Sequence, residues 1–316
     1  MRTNKPIRSL FRILFAVFLL LNIIAAIHAY RFTHFSNTTS PKTDASQLTT
    51  ADKISMLLTG VKNPRPVDDK VPSVPYEQVE LQSNKRIEAW YTTTPGAKGT
   101  VALFHGYGGH RSAMLDKADE LIKMGYNIML VNFMGAGNSH GNQVTIGYKE
   151  AEQVATVYAY LQKEKNEKRI LLFGTSMGAV AIMKAINDHK LQPAGIIIEC
   201  PFGTMYQTVC ARFKMIGVPP FPMAALLAFW GGVENGFWPF THNPATYAKS
   251  LHCPTLLLFG AKDDRVTLRE TQAIYSNIPA SNKTLRIYPQ AAHENYLNKY
   301  KGEWINDVSA FLNTIK

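Results

Sequence analysis

Residues 169–189, RILLFGTSMGAVAIMKAINDH, join three local patterns that decide the fold. RILLF is a short apolar run that suits a buried strand, GTSMG (174–178) is a glycine-flanked turn, and the Ala- and Met-rich segment after it is helical. A serine in such a strand–turn–helix unit presents its hydroxyl at the end of a sheet, and Gly174 and Gly178 remove side chains that would clash there. This context predicts that Ser176 is a nucleophile rather than a serine in an ordinary glycine-rich turn.

Strand and helix patterns alternate through the body of the chain from about residue 76. Two strand patterns, 76–82 and 86–93, flank the hairpin signal Ser83-Asn84-Lys85. Further apolar strands are predicted at 100–106, 127–133, 194–200, 254–260 and 284–289, with helices at 110–124, 147–164, 267–277 and 295–314. Apolar strands that alternate with helices indicate an α/β fold, in which helices cover both faces of a mostly parallel sheet.

The N-terminal segment is predicted to precede this body. Residues 1–12 form a basic leader, 13–29 are almost entirely apolar, and 30–75 are a polar tether and lead-in. About 17 apolar residues are near the short limit for a membrane span and the long limit for a signal-peptide core. Because the basic residues come first, we expect an uncleaved signal anchor with a cytoplasmic N-terminus and an extracytoplasmic body. Cleavage after Ala29 and secretion are the alternative.

Charge and cysteine content bear on the partners. The net charge of +11 raises nucleic acid or anionic lipid as partners. The sequence has no zinc-ligand spacing, RNP-type aromatic box or long basic run, so we expect no nucleic-acid partner; the oligomeric state stays open. Cys200, Cys210 and Cys253 include no C-x-x-C pair. A bond between Cys200 and Cys210 is possible, but small buried thiols are favoured.

A serine nucleophile needs a base, and the base needs an acid that orients it. In a strand–turn–helix hydrolase the chain order is serine, acid, histidine. His293 is the one histidine of nine that stands in a loop late enough to follow an acid. Asp263, shortly after the strand that ends at Gly260, is the predicted acid. Its neighbour Asp264 and, more remotely, Glu199 at another strand end are the alternatives.

The tetrahedral intermediate of acyl transfer carries an oxyanion that requires hydrogen-bond donors. FHGYGG (104–109) is a glycine-rich loop at a strand end. The backbone N–H groups of Tyr107, in this loop, and of Met177, which follows the nucleophile, are the predicted donors. His105 is expected to brace the loop rather than to react.

The segment at about 202–248 is predicted to be a small cap over the site. It is rich in Met and aromatic residues and falls between the nucleophile and the acid. Phe202, Met205, Phe229 and Trp230 are candidates to line an apolar pocket, which suits an acyl or aryl ester. The alternative for each of them is packing between the cap and the sheet.

With HGYGG, GNSHG, GTSMG, GAKDDRV and AAHEN in order, residues 76–316 resemble the α/β-hydrolase superfamily. Within it the chain looks most like the membrane-anchored serine hydrolases of the BEM46-like and serine-aminopeptidase-like (hydrolase-4) groups. The resemblance implies an eight-stranded, mostly parallel sheet with one antiparallel strand. It also implies a catalytic triad of Ser176, Asp263 and His293, with no cofactor and no metal. Many relatives carry Asp-x-Arg-Gly after the fourth strand, where residues 132–135 read Asn-Phe-Met-Gly, a difference expected to affect loop bracing or the pocket.

The leading interpretation is a serine hydrolase that cleaves small, apolar carboxylic esters. An aminopeptidase or amidase of the same fold is the second, since only the leaving group differs. Recognition of a free amine favours an acidic group in the cap, where Glu234 is the only carboxylate. A membrane-tethered binding protein that has lost catalysis is the third.

Overall fold

The structure is a computed structural model that describes residues 5–36, 49, 55, 56 and 58–315. Residues 37–48, 50–54 and 57 of the predicted tether and lead-in therefore lie outside the described residues. The strands are β1 (Glu77–Gln82), β2 (Arg86–Thr92), β3 (Thr100–Phe104), β4 (Asn127–Asn132), β5 (Ile170–Thr175), β6 (Gly195–Glu199), β7 (Thr255–Gly260) and β8 (Lys283–Tyr288). They form one sheet in the order β1-β2-β4-β3-β5-β6-β7-β8. Only β2 runs in the direction opposite to the other seven strands, which confirms the expected α/β-hydrolase architecture.

The order of the strands brings the functional loops to one edge of the sheet. Strands β3, β5, β6, β7 and β8 are parallel neighbours, so their carboxyl ends lie side by side. The strands β3, β6 and β7 are buried along their whole length, which explains their continuous apolar runs. The loops after β3, β5, β7 and β8 carry the predicted oxyanion donor, nucleophile, acid and base.

Ten α-helices have defined bounds among the described residues. They are α1 (Lys5–Thr33), α2 (Leu115–Lys123), α3 (Glu150–Lys163), α4 (Met177–His189), α5 (Met205–Met215), α6 (Met223–Asn235), α7 (Pro244–Tyr247), α8 (Leu268–Asn277), α9 (Tyr296–Lys299) and α10 (Lys301–Thr314). The predicted cap is made of α5, α6 and α7. The predicted helix at 295–314 is two helices, because the backbone of Tyr300 leaves the helical conformation (φ −126°, ψ 49°).

The apolar N-terminal segment is one helix, α1, whose last turns pack on the cap. Ala29 and Thr33 are buried, and a methyl group placed on Gly231 of α6 would lie 3.9 Å from each of their side chains. The indole N–H of Trp230 donates a 3.1 Å hydrogen bond to Asn22 Oδ1 on α1. Small residues on both helices permit this close approach. By length and composition α1 can cross a bilayer, a test that a signal sequence also meets.

The chain stays attached to the body beyond the end of α1. The Phe35 N–H donates to the Asn142 carbonyl at 2.7 Å, and the Ser36 N–H donates to the Asn63 carbonyl at 2.8 Å. The lead-in also supplies Asp68, whose carboxylate accepts hydrogen bonds from Arg111 Nε and Asn132 Nδ2, each at 2.9 Å. Asn132, the first residue of the atypical Asn-Phe-Met-Gly segment, therefore braces the loops beside the site.

Candidate active site

Ser176 lies at a sharp turn between β5 and α4. Its backbone has φ 53° and ψ −110°, a region that non-glycine residues rarely adopt and that marks strain at functional turns. Glycine is required at both flanking positions because a side chain would clash with nearby backbone. A Cβ on Gly174 would lie 2.5 Å from backbone atoms of Gly178 and Ala179, and a Cβ on Gly178 would overlap the Phe104 carbonyl oxygen. The turn therefore holds the Ser176 side chain out at the edge of the sheet.

The structure brings the three predicted side chains together. His293 Nε2 lies 3.1 Å from Ser176 Oγ, and His293 Nδ1 lies 2.7 Å from Asp263 Oδ2. Because an ionised carboxylate only accepts hydrogen bonds, the proton of neutral His293 belongs on Nδ1, which leaves Nε2 free to accept from the serine hydroxyl. The other oxygen of Asp263 accepts hydrogen bonds from the N–H groups of Arg265 and Val266, at 2.8 and 2.9 Å.

The alternative acids lie elsewhere. Asp264 is exposed to solvent beside the site. Glu199 is fully buried, accepts hydrogen bonds from Trp304 Nε1 at 2.8 Å and Thr175 Oγ1 at 3.1 Å, and lies 3.7 Å from Lys117 Nζ. Its role is to hold the end of β6 against α10.

The pKa of His293 is raised above its ordinary value. Burial disfavours the imidazolium, but the Cys200 sulfur, 3.9 Å from Nε2, and the Asp263 carboxylate outweigh that effect. A buried base with a charged partner is typical of a functional site.

The residues of the two predicted oxyanion donors lie in the loop after β3 and at the first position of α4. Tyr107 and Met177 line the same cavity as Ser176, and among the described residues no partner is found for either backbone N–H group. His105 is buried and holds the loop in place: its Nε2 accepts a 3.2 Å hydrogen bond from the Phe133 N–H, and Nδ1 bonds the Gly106 carbonyl at 2.8 Å. Burial lowers the pKa of His105 to about 4, so it remains neutral at physiological pH.

Two cavities meet at Ser176. An apolar cavity of about 130 Å³ lies under the cap, and a polar cavity of about 260 Å³ lies on the side of His293. Tyr107, Ser176 and Arg212 line both. The site therefore has one apolar arm and one polar arm, with the serine hydroxyl between them.

The walls of the apolar cavity agree in part with the predicted pocket. Phe202 and Met205 line it. Phe229 and Trp230 do not, because Leu227, Ala228 and Gly231 occupy the face of α6 that is turned toward the cavity. Phe229 instead contacts the rings of Trp230 and Trp238.

Three lining residues come from α1 and were not predicted. Ala29, Phe32 and Thr33 form part of the apolar wall. The Phe32 ring stacks on Tyr107 with centroids 4.6 Å apart, and the Tyr107 hydroxyl donates a 2.8 Å hydrogen bond to the Phe32 carbonyl. The aromatic and small residues that follow Ala29 were a sequence signal for this contact. They were not used because residues 30–75 were interpreted as a tether and lead-in.

The three cysteines form no disulfide bond. Cys200 is buried, and Cys210 and Cys253 are partly buried free thiols. The ligand atoms of Cys200, Asp263 and His293 lie within 4.8 Å of one another, a set that suits a metal by residue type. The His293 imidazole already bonds Asp263 Oδ2 and Ser176 Oγ, so a metal there would displace those contacts.

The chain is similar to several known proteins. Residues 95–230 match the Hydrolase_4 family model, described as serine aminopeptidase, S33; the match ends before Asp263 and His293. The esterase Pf2001 of Pyrococcus furiosus is 26% identical and superposes with a TM-score of 0.67, over 81% of this chain and 98% of that chain.

Two curated relatives have lower identity but long coverage. An uncharacterized protein of Bacillus subtilis is 20% identical over 232 residues, 72% of this chain and 76% of the relative. An uncharacterized membrane protein of Saccharomyces cerevisiae is 21% identical over 223 residues, 70% of this chain and 74% of the relative.

Proposed function

The chain belongs to the α/β-hydrolase superfamily, and from this premise we propose that it is a serine hydrolase that cleaves carboxylic esters through Ser176, His293 and Asp263. The observation that carries the proposal is the position of His293, which bridges the Ser176 hydroxyl and the Asp263 carboxylate. This is the geometry by which a base activates a serine and is itself oriented by an acid.

In the first half of the reaction, Ser176 Oγ attacks the ester carbonyl carbon while His293 Nε2 takes the hydroxyl proton. The carbonyl oxygen becomes an oxyanion that the N–H groups of Tyr107 and Met177 stabilise. As the tetrahedral intermediate collapses, the bond to the alcohol oxygen breaks and His293 returns the proton to that oxygen. Asp263 stays ionised and stabilises the imidazolium that forms.

In the second half, a water molecule takes the place of the alcohol beside His293. The imidazole removes one proton from the water as its oxygen attacks the acyl-enzyme. Collapse releases the carboxylic acid, and the proton returns from His293 to Ser176 Oγ. One water is consumed for each ester bond broken.

An ester fits the charges of the site better than a free amine does. Glu234, the carboxylate that would favour an aminopeptidase, is absent from the walls of both cavities. Glu294 lines the polar cavity, but its carboxylate lies 2.7 Å from Lys299 Nζ. The cationic side chains Arg212 and Arg265 share that cavity and would repel an ammonium group. Aminopeptidase activity is therefore the second candidate.

We also propose that α1 anchors the enzyme in a membrane. Its apolar side chains from Ile7 to Ile23 are largely exposed, which water disfavours and a bilayer accommodates. Basic residues precede the apolar stretch, which supports a cytoplasmic N-terminus and an extracytoplasmic catalytic domain. Cleavage after Ala29 would remove the buried contacts that this residue and the preceding turns make with α6, so the anchor is proposed to be retained.

The first test uses the full-length protein in a non-ionic detergent. A fluorophosphonate probe should label Ser176, as mapped by mass spectrometry, and Ser176→Ala should abolish the label. His293→Ala should lower kcat for p-nitrophenyl butyrate by about 10⁶-fold, as loss of the base does in other triads. Asp263→Asn should lower kcat by about 10⁴-fold, whereas the neighbouring control Asp264→Asn should stay within about twofold. A folded protein that takes no label at Ser176 would refute the hydrolase and leave a binding protein on this fold.

The second candidate is tested on the same preparation. Aminoacyl p-nitroanilides with a free α-amine report aminopeptidase activity, and their N-acetylated counterparts report amidase activity. We expect both to be cleaved far more slowly than p-nitrophenyl butyrate. Faster cleavage of the free-amine substrates would replace the esterase proposal with the aminopeptidase.

A further inference from the structure

The position of His293 assigns the two arms of the site to the two halves of an ester. His293 lines the polar cavity and not the apolar one. Since His293 Nε2 must protonate the departing alcohol oxygen, the alcohol half of the substrate occupies the polar cavity. The acyl half then extends into the apolar cavity under the cap.

The polar cavity contains two guanidinium groups that lack partners. Among the described residues, neither Arg212 nor Arg265 makes a side-chain hydrogen bond or ion pair, and the Nε atom of each is buried and unsatisfied. The other charged side chains of the wall are paired: Lys117 with Glu199, Glu294 with Lys299, and His293 with Asp263. Two unpaired positive charges therefore lie at the wall of the polar cavity, and one of them, Arg212, also borders the apolar cavity.

The positive charges of Arg212 and Arg265 also repel each other. Burial lowers the pKa of Arg212, and the nearby charge of Arg265 lowers it further. Asp263 and Asp264 attract Arg212 through space, but neither lies within ion-pair distance of it, and Asp263 is already bonded to His293. An anion between the guanidinium groups would relieve the repulsion and satisfy the buried donors, because guanidinium forks match phosphate and carboxylate oxygens.

The apolar cavity in turn borders the proposed membrane anchor. Its wall includes Ala29, Phe32 and Thr33 from the last turns of α1, the helix whose earlier turns expose apolar side chains. The proposed route for an acyl chain runs from the bilayer alongside α1 into this cavity, which Ser176 also lines. Each buried methylene contributes about 0.8 kcal/mol, so a long chain has a strong preference for such a route. The net charge of +11 favours an anionic lipid surface beside the enzyme.

We propose that the substrate is an anionic membrane lipid, whose acyl chain enters along α1 into the apolar cavity and whose negatively charged headgroup is bound by Arg212 and Arg265. This inference rests on the proposed esterase function. The ester bond between the acyl carbon and the headgroup alcohol breaks, one water is consumed, and the products are a fatty acid and the deacylated anionic alcohol.

The test compares two substrates that differ in one phosphate. Full-length protein in non-ionic mixed micelles is given 1-palmitoyl-lysophosphatidic acid or 1-palmitoylglycerol, and palmitate release is measured. We expect kcat/KM to be at least about tenfold higher for the phosphate-bearing substrate. Arg212→Gln and Arg265→Gln should each reduce that preference about tenfold, as loss of a charge-assisted hydrogen bond does. Arg269→Gln, which removes an exposed arginine of α8, is the matched control and should keep the preference.

Chain length separates a membrane lipid from a soluble anionic ester. The butyryl counterpart of the anionic substrate has the same phosphate and stays in water. We expect it to be hydrolysed at least about 100-fold less efficiently than the palmitoyl substrate. Equal rates would overturn the membrane source and identify a soluble phosphate-bearing ester.

Each failure is distinguishable. Absence of fluorophosphonate labelling and of p-nitrophenyl ester cleavage removes the esterase itself. Normal labelling with equal rates on the charged and neutral palmitoyl substrates overturns the headgroup assignment alone, as does an unchanged preference in both arginine variants. Since loss of either arginine could perturb folding, Arg212→Lys provides a second check: it restores the charge and should regain part of the preference.

Discussion

Tyr107, in the loop after β3, is bonded to α1 through Phe32. The two rings stack with centroids 4.6 Å apart, and the Tyr107 hydroxyl donates a 2.8 Å hydrogen bond to the Phe32 carbonyl. The Tyr107 N–H is one of the two proposed oxyanion donors, so α1 helps to position a group that acts on the transition state. On the proposed function, α1 therefore contributes to the active site as well as to membrane attachment.

This contact predicts that Phe32→Ala lowers catalysis without removing the nucleophile. Loss of the stack costs about 1 kcal/mol and frees the loop, so kcat for p-nitrophenyl butyrate should fall about fivefold to tenfold while Ser176 remains labelled by the fluorophosphonate probe. Phe18→Ala, which removes an exposed ring of the same helix, is the control. Equal kcat values for the two variants would show that α1 does not support the oxyanion loop.

The strained turn predicts a large effect from one methyl group. Gly178→Ala places a Cβ against the Phe104 carbonyl oxygen, and both atoms belong to rigid backbone. We expect a loss of about 3 kcal/mol in the free energy of unfolding, measured as a fall of roughly 10 °C in Tm. Gly302→Ala in α10 is the matched control, because nothing lies within 4 Å of its added Cβ. Its effect should stay within about 1 kcal/mol, and a similar loss in both variants would argue against backbone contact as the cause.

The raised pKa of His293 predicts the position of the acidic limb of activity. Burial lowers this pKa, but Cys200 and Asp263 raise it above the ordinary value of 6.5. The base must be neutral, so kcat/KM should rise with pH through a midpoint above 6.5. Asp263→Asn, which removes the carboxylate, should move the midpoint of the residual activity downward, as a pH–rate profile would show. A midpoint at or below 6.5 in the unmodified protein would contradict the assignment of His293 as a base held by Asp263.

The raised pKa of His293 affects stability in the opposite direction to activity: stability falls as pH rises. A histidine whose folded pKa is raised stabilises the fold at pH values below its unfolded pKa of about 6.5, and this contribution is lost as pH rises through the folded pKa. The window therefore begins near pH 6.5 and extends above it. Tm should fall across the pH range in which activity rises, and His293→Ala should remove that part of the slope.

The sheet could be predicted, and the three candidate catalytic side chains could be selected, because their signals are local. RILLFGTSMG carries its strand, its turn and its nucleophile within ten residues, and Asp263 and His293 each follow a strand end in the expected order. The register of parallel neighbours then places these ends side by side. Chain position favoured Asp263 but left its neighbour Asp264 open as the acid, and it is the structure that brings Asp263 Oδ2 within 2.7 Å of His293 Nδ1.

The contribution of α1 could not be predicted because its contacts are long-range. Phe32 and Tyr107 are separated by 75 positions, and the local sequence around either residue does not indicate a contact with the other. The same holds for Phe229 and Trp230, whose hydrophobicity suggested a pocket although their angular position on α6 turns them away from it. Arg212 was not predicted as a site residue because an isolated arginine in a cap forms no sequence motif. Its proposed role depends on its proximity to Arg265, which follows β7.

The packing of α1 on the cap predicts a change in chain-length selectivity. Ala29 is 2% exposed and lines the apolar cavity between α1 and α6. Ala29→Phe adds a ring to the space that the distal part of a long acyl chain would fill, whereas the first carbons next to Ser176 keep their room. Each excluded methylene forfeits about 0.8 kcal/mol, so three or four excluded methylenes reduce kcat/KM for p-nitrophenyl palmitate by about 100-fold. Activity on p-nitrophenyl acetate should change by less than about threefold, which also reports that the fold and the triad are intact.

The control for this variant is Leu20→Phe, which adds similar bulk to an exposed position of the same helix. It should leave the ratio of palmitate to acetate activity unchanged, because Leu20 is turned away from the cavity. If Ala29→Phe lowers both activities equally, the ring acts by displacing α1 or the oxyanion loop rather than by shortening the cavity. If it changes neither, long acyl chains do not use the space beside α1, and lateral access from the bilayer must be abandoned.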